Sequence, residues 1–198
     1  MIRKTLSLVL LMIVLAVPMS ASQFIEQRFD DVARNSELVL RGTVESVYSR
    51  WDDSREVIYT YATVRVKNYF ADTTGPDTVV VREVGGTVDD YTMAAVGFPE
   101  LRTGEEVVLF LSRWDNGVDY RMEAYNQGKY LVRENNGRAL LHRDLATQGH
   151  ERQGRAFSAT VNARPSGSDE PGLSMDEFTQ MVNDAREGRE VVTRRDRN

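Results

Sequence analysis

Glu106-Val107-Val108-Leu109-Phe110-Leu111-Ser112-Arg113-Trp114 is the stretch on which the fold turns. Five consecutive apolar side chains, Val107 to Leu111, leave an extended strand no polar face. A run this short, with Gly104 before it and Asn116-Gly117 after it, suits a strand better than a helix, and a strand apolar on both sides must be central and fully buried. A sheet therefore has to be built around residues 106–114.

Strand signals extend from this run in both directions. After it, residues 118–125 place Tyr120, Met122 and Ala124 on one face, residues 128–134 form another strand, and residues 138–142 a further one. Asn116-Gly117 and Asn136-Gly137 separate these strands, and both predict two-residue type I′ hairpins, in which the two central residues need positive φ. Before it, residues 87–103 are a longer connection, and residues 78–84 are a β-branched run that stops at Gly85-Gly86. Residues 71–77 form a turn around Gly75-Pro76. Residues 57–70 alternate, with Ala62, Val64 and Val66 on one face and Thr63, Arg65 and Lys67 on the other. A polar loop at 49–55 precedes them, and residues 38–48 read as a curved strand with a bulge or bend at Gly42. Six to seven short strands within about 105 residues are the pattern of a small barrel or sandwich. None of the connections is long enough for a βαβ crossover, which predicts an antiparallel sheet.

Helices are expected at both ends of this region. Ile25, Phe29 and Val32 form an amphipathic stripe over residues 23–35. Ser174 and Glu177 make a capping box, with Leu173 and Phe178 as its hydrophobic staple. Phe178, Met181, Val182 and Ala185 continue that stripe, and Gly188 ends the helix. Residues 1–22 carry Arg3 and Lys4, an apolar stretch ended by Pro18, and the small residues Ser20, Ala21 and Ser22, which reads as a cleavable secretory signal. The expected organisation is a signal peptide at 1–22, an OB-like barrel domain with its N-terminal helix at 23–145, a flexible linker at 146–172, a linker-tethered helix at 173–188 and a disordered tail at 189–198. The fold class is mainly β, and the site of action is the periplasm or the extracellular medium.

The chain carries 25 basic and 30 acidic residues, a formal charge of −5, and no cysteine. An acidic balance argues against nucleic acid as a partner, because phosphate recognition requires a basic face. Without cysteine there is no disulfide framework, and an exported domain must be held by its core. No segment after the signal is long and apolar enough to span a membrane.

The strand region resembles a group of exported bacterial β-domains that look OB-like or netrin-like, the latter being the fold of tissue metalloproteinase inhibitors. The matching residues are Val39-Leu40-Arg41-Gly42-Thr43-Val44, Ile58-Tyr59-Thr60 leading into Val64-Arg65-Val66, Val79-Val80-Val81, Gly85-Gly86, Gly97-Phe98-Pro99, Gly104-Glu105-Glu106 with the following apolar run, and Asn126-Gln127-Gly128-Lys129-Tyr130. The chain departs from that group at Tyr69-Phe70-Ala71-Asp72, where its members carry Lys-Gly. It also has no N-terminal cysteine to offer a zinc, so an inhibitor's mechanism does not carry over.

The sequence shows no catalytic set, cofactor motif or metal-binding motif. Gly172-Leu173-Ser174-Met175-Asp176 lacks the second glycine of a nucleophile elbow. His142 and His150 are the only histidines, and with Asp144 they make at most a weak cluster; Asp52-Asp53 and Asp89-Asp90 read as solvated loop carboxylates. The remaining candidates are large side chains in polar loops, Arg50, Trp51, Tyr91, Met93 and Phe98, which predict a non-enzymatic binding module with a protein partner. Two alternatives are an assembly protein docking through its C-terminal helix and a cysteine-free inhibitor of an extracellular hydrolase.

Overall fold

The structure is a computed structural model that describes residues 27–71, 73–95, 97–143 and 172–191. The expected signal peptide, nearly all of the linker, and the tail beyond 191 lie outside the described residues. The chain order is α1 (Phe29–Asn35), β1 (Leu38–Trp51), β2 (Ile58–Tyr69), β3 (Thr78–Val84), β4 (Gly86–Val88), β5 (Tyr91–Met93), β6 (Glu106–Arg113), β7 (Tyr120–Met122), a 3-10 turn (Tyr125–Gly128), β8 (Lys129–Asn135), β9 (Arg138–Arg143), β10 (Leu173–Ser174) and α2 (Met175–Arg186).

The apolar run is the hub of the sheet. One edge of β6 pairs with β1, from Leu38↔Leu111 to Thr43↔Glu106, and its other edge is shared by β7 and β8. The order β1-β2-β3-β7-β6 closes back on β1, giving a five-stranded barrel of OB-like form. Val107, Leu109 and Leu111 point into the barrel beside Leu40, Val44, Val64, Val81 and Met122. Val108 and Phe110 point the other way, into a second core formed under the two helices with Val39, Phe70, Tyr130, Phe178 and Val182. Both faces of β6 are buried because each belongs to a different core.

Gly42 is the bend foreseen in β1. The β1–β2 register shifts beside it, and a Cβ there would meet the Arg65 carbonyl oxygen and a Val64 methyl, each at 2.6 Å. The kink lets one strand leave the barrel wall and run on with β2 as a two-stranded ribbon to Trp51↔Ile58.

Four expectations are modified. One pairing in the main sheet is parallel: β3 meets β7 at Val81↔Tyr120, because the closing strand enters the gap in the direction of β3. The connection at 87–103 contains a small hairpin, β4 with β5, folded over the ribbon. The expected strand at 118–125 is ordered as a strand only over Tyr120–Met122. It ends where Ala124 and Tyr125 turn into the left-handed region, at φ 53° and 56°, to start the 3-10 turn. Of the two Asn-Gly pairs, Asn136-Gly137 makes the foreseen hairpin with φ 51° and 74°. At Asn116-Gly117 only the glycine has positive φ. Asn116 instead accepts hydrogen bonds from the amides of Val118 and Asp119 through Oδ1, at 3.0 and 3.1 Å, which stabilises a longer loop.

The C-terminal helix is docked on the chain's own barrel. Its capping box is present, with the Ser174 side chain accepting from the Glu177 amide and Glu177 accepting from the Ser174 amide. Phe178, Val182 and Ala185 are fully buried in the second core. Arg186 donates to the Ser36 carbonyl oxygen at 2.9 Å, tying α2 to the end of α1.

Candidate functional site

The five residues singled out in the sequence occupy three places. Trp51 and Tyr91 come together, with ring centroids 5.7 Å apart and edge to face, because the β4–β5 hairpin folds over the ribbon. Gly86 allows that fold: it lies so close to the Ser49 and Thr60 hydroxyls that a Cβ would meet both within 2.5 Å, and its φ is 132°. Met93, paired with Gly86 on that hairpin, is half-buried. Arg50 points to the opposite face of the ribbon, over the Tyr61 ring at 4.6 Å, and donates to its hydroxyl at 3.2 Å. Phe98 stands apart from these and packs edge to face on Tyr125, on the turn between β7 and β8.

Arg50 leads to a surface that loop aromatics alone would not reveal. β2 alternates, so Ala62 and Val64 enter the barrel while Tyr59 and Tyr61 face outward. The registers Tyr48↔Tyr61, Arg50↔Tyr59 and Tyr61↔Arg82 put Tyr48, Arg50 and Arg82 on that same outer face. Tyr48 stacks on Tyr61 at 5.3 Å and 11°, and remains 51% exposed. Arg82 lies 3.8 Å from the centre of the Tyr59 ring and 5.1 Å from Trp114. Trp114 meets Tyr59 edge to face at 6.2 Å, donates its indole N–H to the Arg82 carbonyl oxygen at 2.7 Å, and carries Arg121 at 5.5 Å from its ring centre. A ladder of alternating rings and guanidinium groups thus crosses β1, β2, β3 and β7.

The loops that flank the ladder are held by side chains. In the loop after β1, Asp52 accepts from the amides of Glu56 and Val57 at 2.8 and 3.0 Å and from the Ser54 hydroxyl at 2.5 Å. These hydrogen bonds, that of Ser54 foremost, hold its carboxyl below the ordinary carboxylate range. In the loop after β6, Asp119 lies 3.9 Å from Arg82 and accepts from the Asn116 amide nitrogen at 2.8 Å.

Beneath this face lies the seam where β3 and β7 close the barrel through one parallel pair. Glu83, only 7% exposed, bridges the seam by accepting from the Met122 amide at 2.6 Å through Oε1, while its Oε2 has no hydrogen-bond partner. Burial pushes its carboxyl up to about 8, against the pull of the Met122 hydrogen bond and of Arg121.

Among the described residues, two of the acidic side chains singled out in the sequence are held within their own loops. Asp52 is spent on its loop, and Asp89 occupies the β4–β5 turn with φ 51°. His142 packs beside Gly172, while Asp144 and His150 lie outside the described residues. Among the described residues no three His, Cys, Asp or Glu side chains gather in a group that could hold a metal ion, and no helix is long and apolar enough to cross a membrane. No known family model matches the chain, and no curated protein matches it.

Proposed function

We propose that the protein is an exported, non-enzymatic binding module that engages a protein partner through the ribbon end of its barrel. Tyr91 and Tyr48 carry this reading: they are 65% and 51% exposed, yet each ring is fixed, Tyr91 against Trp51 and Tyr48 against Tyr61. Rings that are exposed and already held still offer contact area with few rotors left to freeze, and Tyr, Trp and Arg are the residues that dominate protein-binding energy. Trp51 and Tyr91, which the fold places in β1 and β5, and the ladder residues Tyr48 and Arg50 lie on two sides of one β1–β2 ribbon, so a partner gripping the ribbon meets both sets.

Assembly through the C-terminal helix has less support, since the apolar stripe such docking would use is buried against the second core. The test is affinity capture from envelope and culture-medium extracts with the tagged protein and with a Trp51→Ala, Tyr91→Ala variant shown by circular dichroism to be folded. A partner held by the first and released by the second is the expected result. Equal capture by both removes the ribbon from the reading. A captured partner that proves to be a hydrolase, slowed on addition of the protein, would make the module its inhibitor.

A further inference from the structure

We infer that the ladder is a site for an acidic peptide segment, a refinement that rests on the protein-binding reading above. Elsewhere on the surface many arginines are neutralised by the chain's own carboxylates: Arg41 by Glu106, Arg65 by Glu45, Arg102 by Glu100 and Arg113 by Glu37. Arg50, Arg82 and Arg121 are treated differently. Among the described residues their only ion pair is the long contact between Arg82 and Asp119. Three cations share one face of a chain whose formal charge is −5, and the stacking on rings that holds them there leaves their charge in place.

Their donors are also underused. A ring face satisfies the flat of a guanidinium group but accepts little from its N–H edge, where five donors lie in the plane. Arg50 gives one hydrogen bond, to the Tyr61 hydroxyl, and the buried Nε of Arg82 has no acceptor. Carboxylates match such an edge two oxygens at a time. Glu83, inside the seam behind Arg82 and Arg121, adds little counter-charge at neutral pH, because burial keeps its proton on.

Spacing points to a peptide rather than a single anion. Arg50 and Arg121 are three inter-strand steps and about two residues of register apart, which is on the order of 15 Å. Four to five extended residues cover that distance, so side-chain carboxylates along one short segment can reach all three arginines. Tyr48 and Trp114 then bracket the segment with apolar surface.

The probe is a glutamate decapeptide, titrated by calorimetry and by the two tryptophan indole N–H signals in NMR. Saturable binding that moves the Trp114 signal is expected. It should weaken at least tenfold between 50 and 300 mM salt, and at least tenfold in an Arg50→Gln, Arg121→Gln variant that keeps its fold. A glycine-serine or lysine decapeptide should do neither. Absence of binding, or equal binding by the variant, overturns the assignment, as does a sulfated polysaccharide that binds where the glutamate peptide does not. Failure here is separable from failure of the broader reading. A partner released by Trp51→Ala, Tyr91→Ala but retained by the arginine variant leaves the binding module standing and removes the acidic segment. A glutamate peptide bound by the ladder, with a partner retained by both variants, keeps the acidic-segment site and removes Trp51 and Tyr91 from the broader reading.

Discussion

Two groups of aromatic rings lie on opposite sides of this barrel, and they are built on different rules. Under the helices, Phe29, Phe70, Phe110, Tyr130 and Phe178 interlock with one another, mostly edge to face at 5.1–5.8 Å. Phe178 and Phe110 there are fully buried. Across β1, β2 and β3, the half-buried Tyr59 and Trp114 and the buried Tyr61 alternate with guanidinium groups. Rings whose purpose is to exclude water need other rings, because only apolar contacts fill a core without leaving donors unmet. Rings that present a surface tolerate arginine, whose long stem covers apolar area while its head remains wet. The first group should therefore carry stability with no part in binding, and the second should carry binding with a small part in stability.

The largest effect expected anywhere beneath the ladder comes from Glu83, which separates the seam from the surface above it. Its carboxyl holds a proton up to about pH 8 in the folded chain, against an ordinary value of 4.5. The folded state thus binds more protons than the unfolded one between those values. Stability is full below about pH 4.5, declines as pH rises, and has lost the whole contribution above about pH 8, a change of up to about 5 kcal/mol. Glu83→Gln keeps an oxygen for the Met122 amide and has nothing to ionise. Urea unfolding at pH 5 and pH 8.5 should show the decline in the natural protein and a flat profile in the variant. A decline of equal size in both would place the titrating group elsewhere.

Phe178→Ala tests the other side. It removes a fully buried ring that touches four aromatic neighbours, and the expected cost is about 4 kcal/mol in denaturant unfolding. At a temperature where the variant is folded, its affinity for the glutamate decapeptide should equal that of the natural protein. A weakened affinity would show that the two faces communicate through the barrel.

The same contrast explains what could be read from residues alone. The apolar run at 107–111 announced a strand buried on both faces, since nothing else accommodates five such side chains in an extended segment. Asn136-Gly137 and the Ser174–Glu177 capping box were legible because each is a local interaction complete within four residues. Asn116-Gly117 misled because the asparagine's own side chain competes for the loop amides, a choice settled by the loop's place between β6 and β7. The ladder was illegible for a different reason. Its members come from β1, β2, β3, β7 and one loop, and each is an ordinary outward residue in its own segment. Arg50 was singled out, but as a loop residue beside Trp51, whereas register sends the two to opposite faces. Phe98 lies close to Tyr91 in sequence but packs on Tyr125.

The smallest effect expected is the most informative about the ladder. In the Arg50→Gln, Arg121→Gln variant each change removes an exposed guanidinium from the ring it covers, the buried Tyr61 for Arg50 and the half-buried Trp114 for Arg121. Exposed contacts of this kind contribute about 0.5–1 kcal/mol each, and the retained glutamine stems keep part of the ring contact. The net change in unfolding free energy should fall below about 1 kcal/mol, while peptide affinity falls tenfold or more. If stability instead drops by about 3 kcal/mol or more, the outer arginines are clasps of the barrel, and the ladder belongs with the interlocked rings on the other side. A near-silent effect on stability joined to a large effect on binding would show that these cations are placed for something the chain does not itself supply.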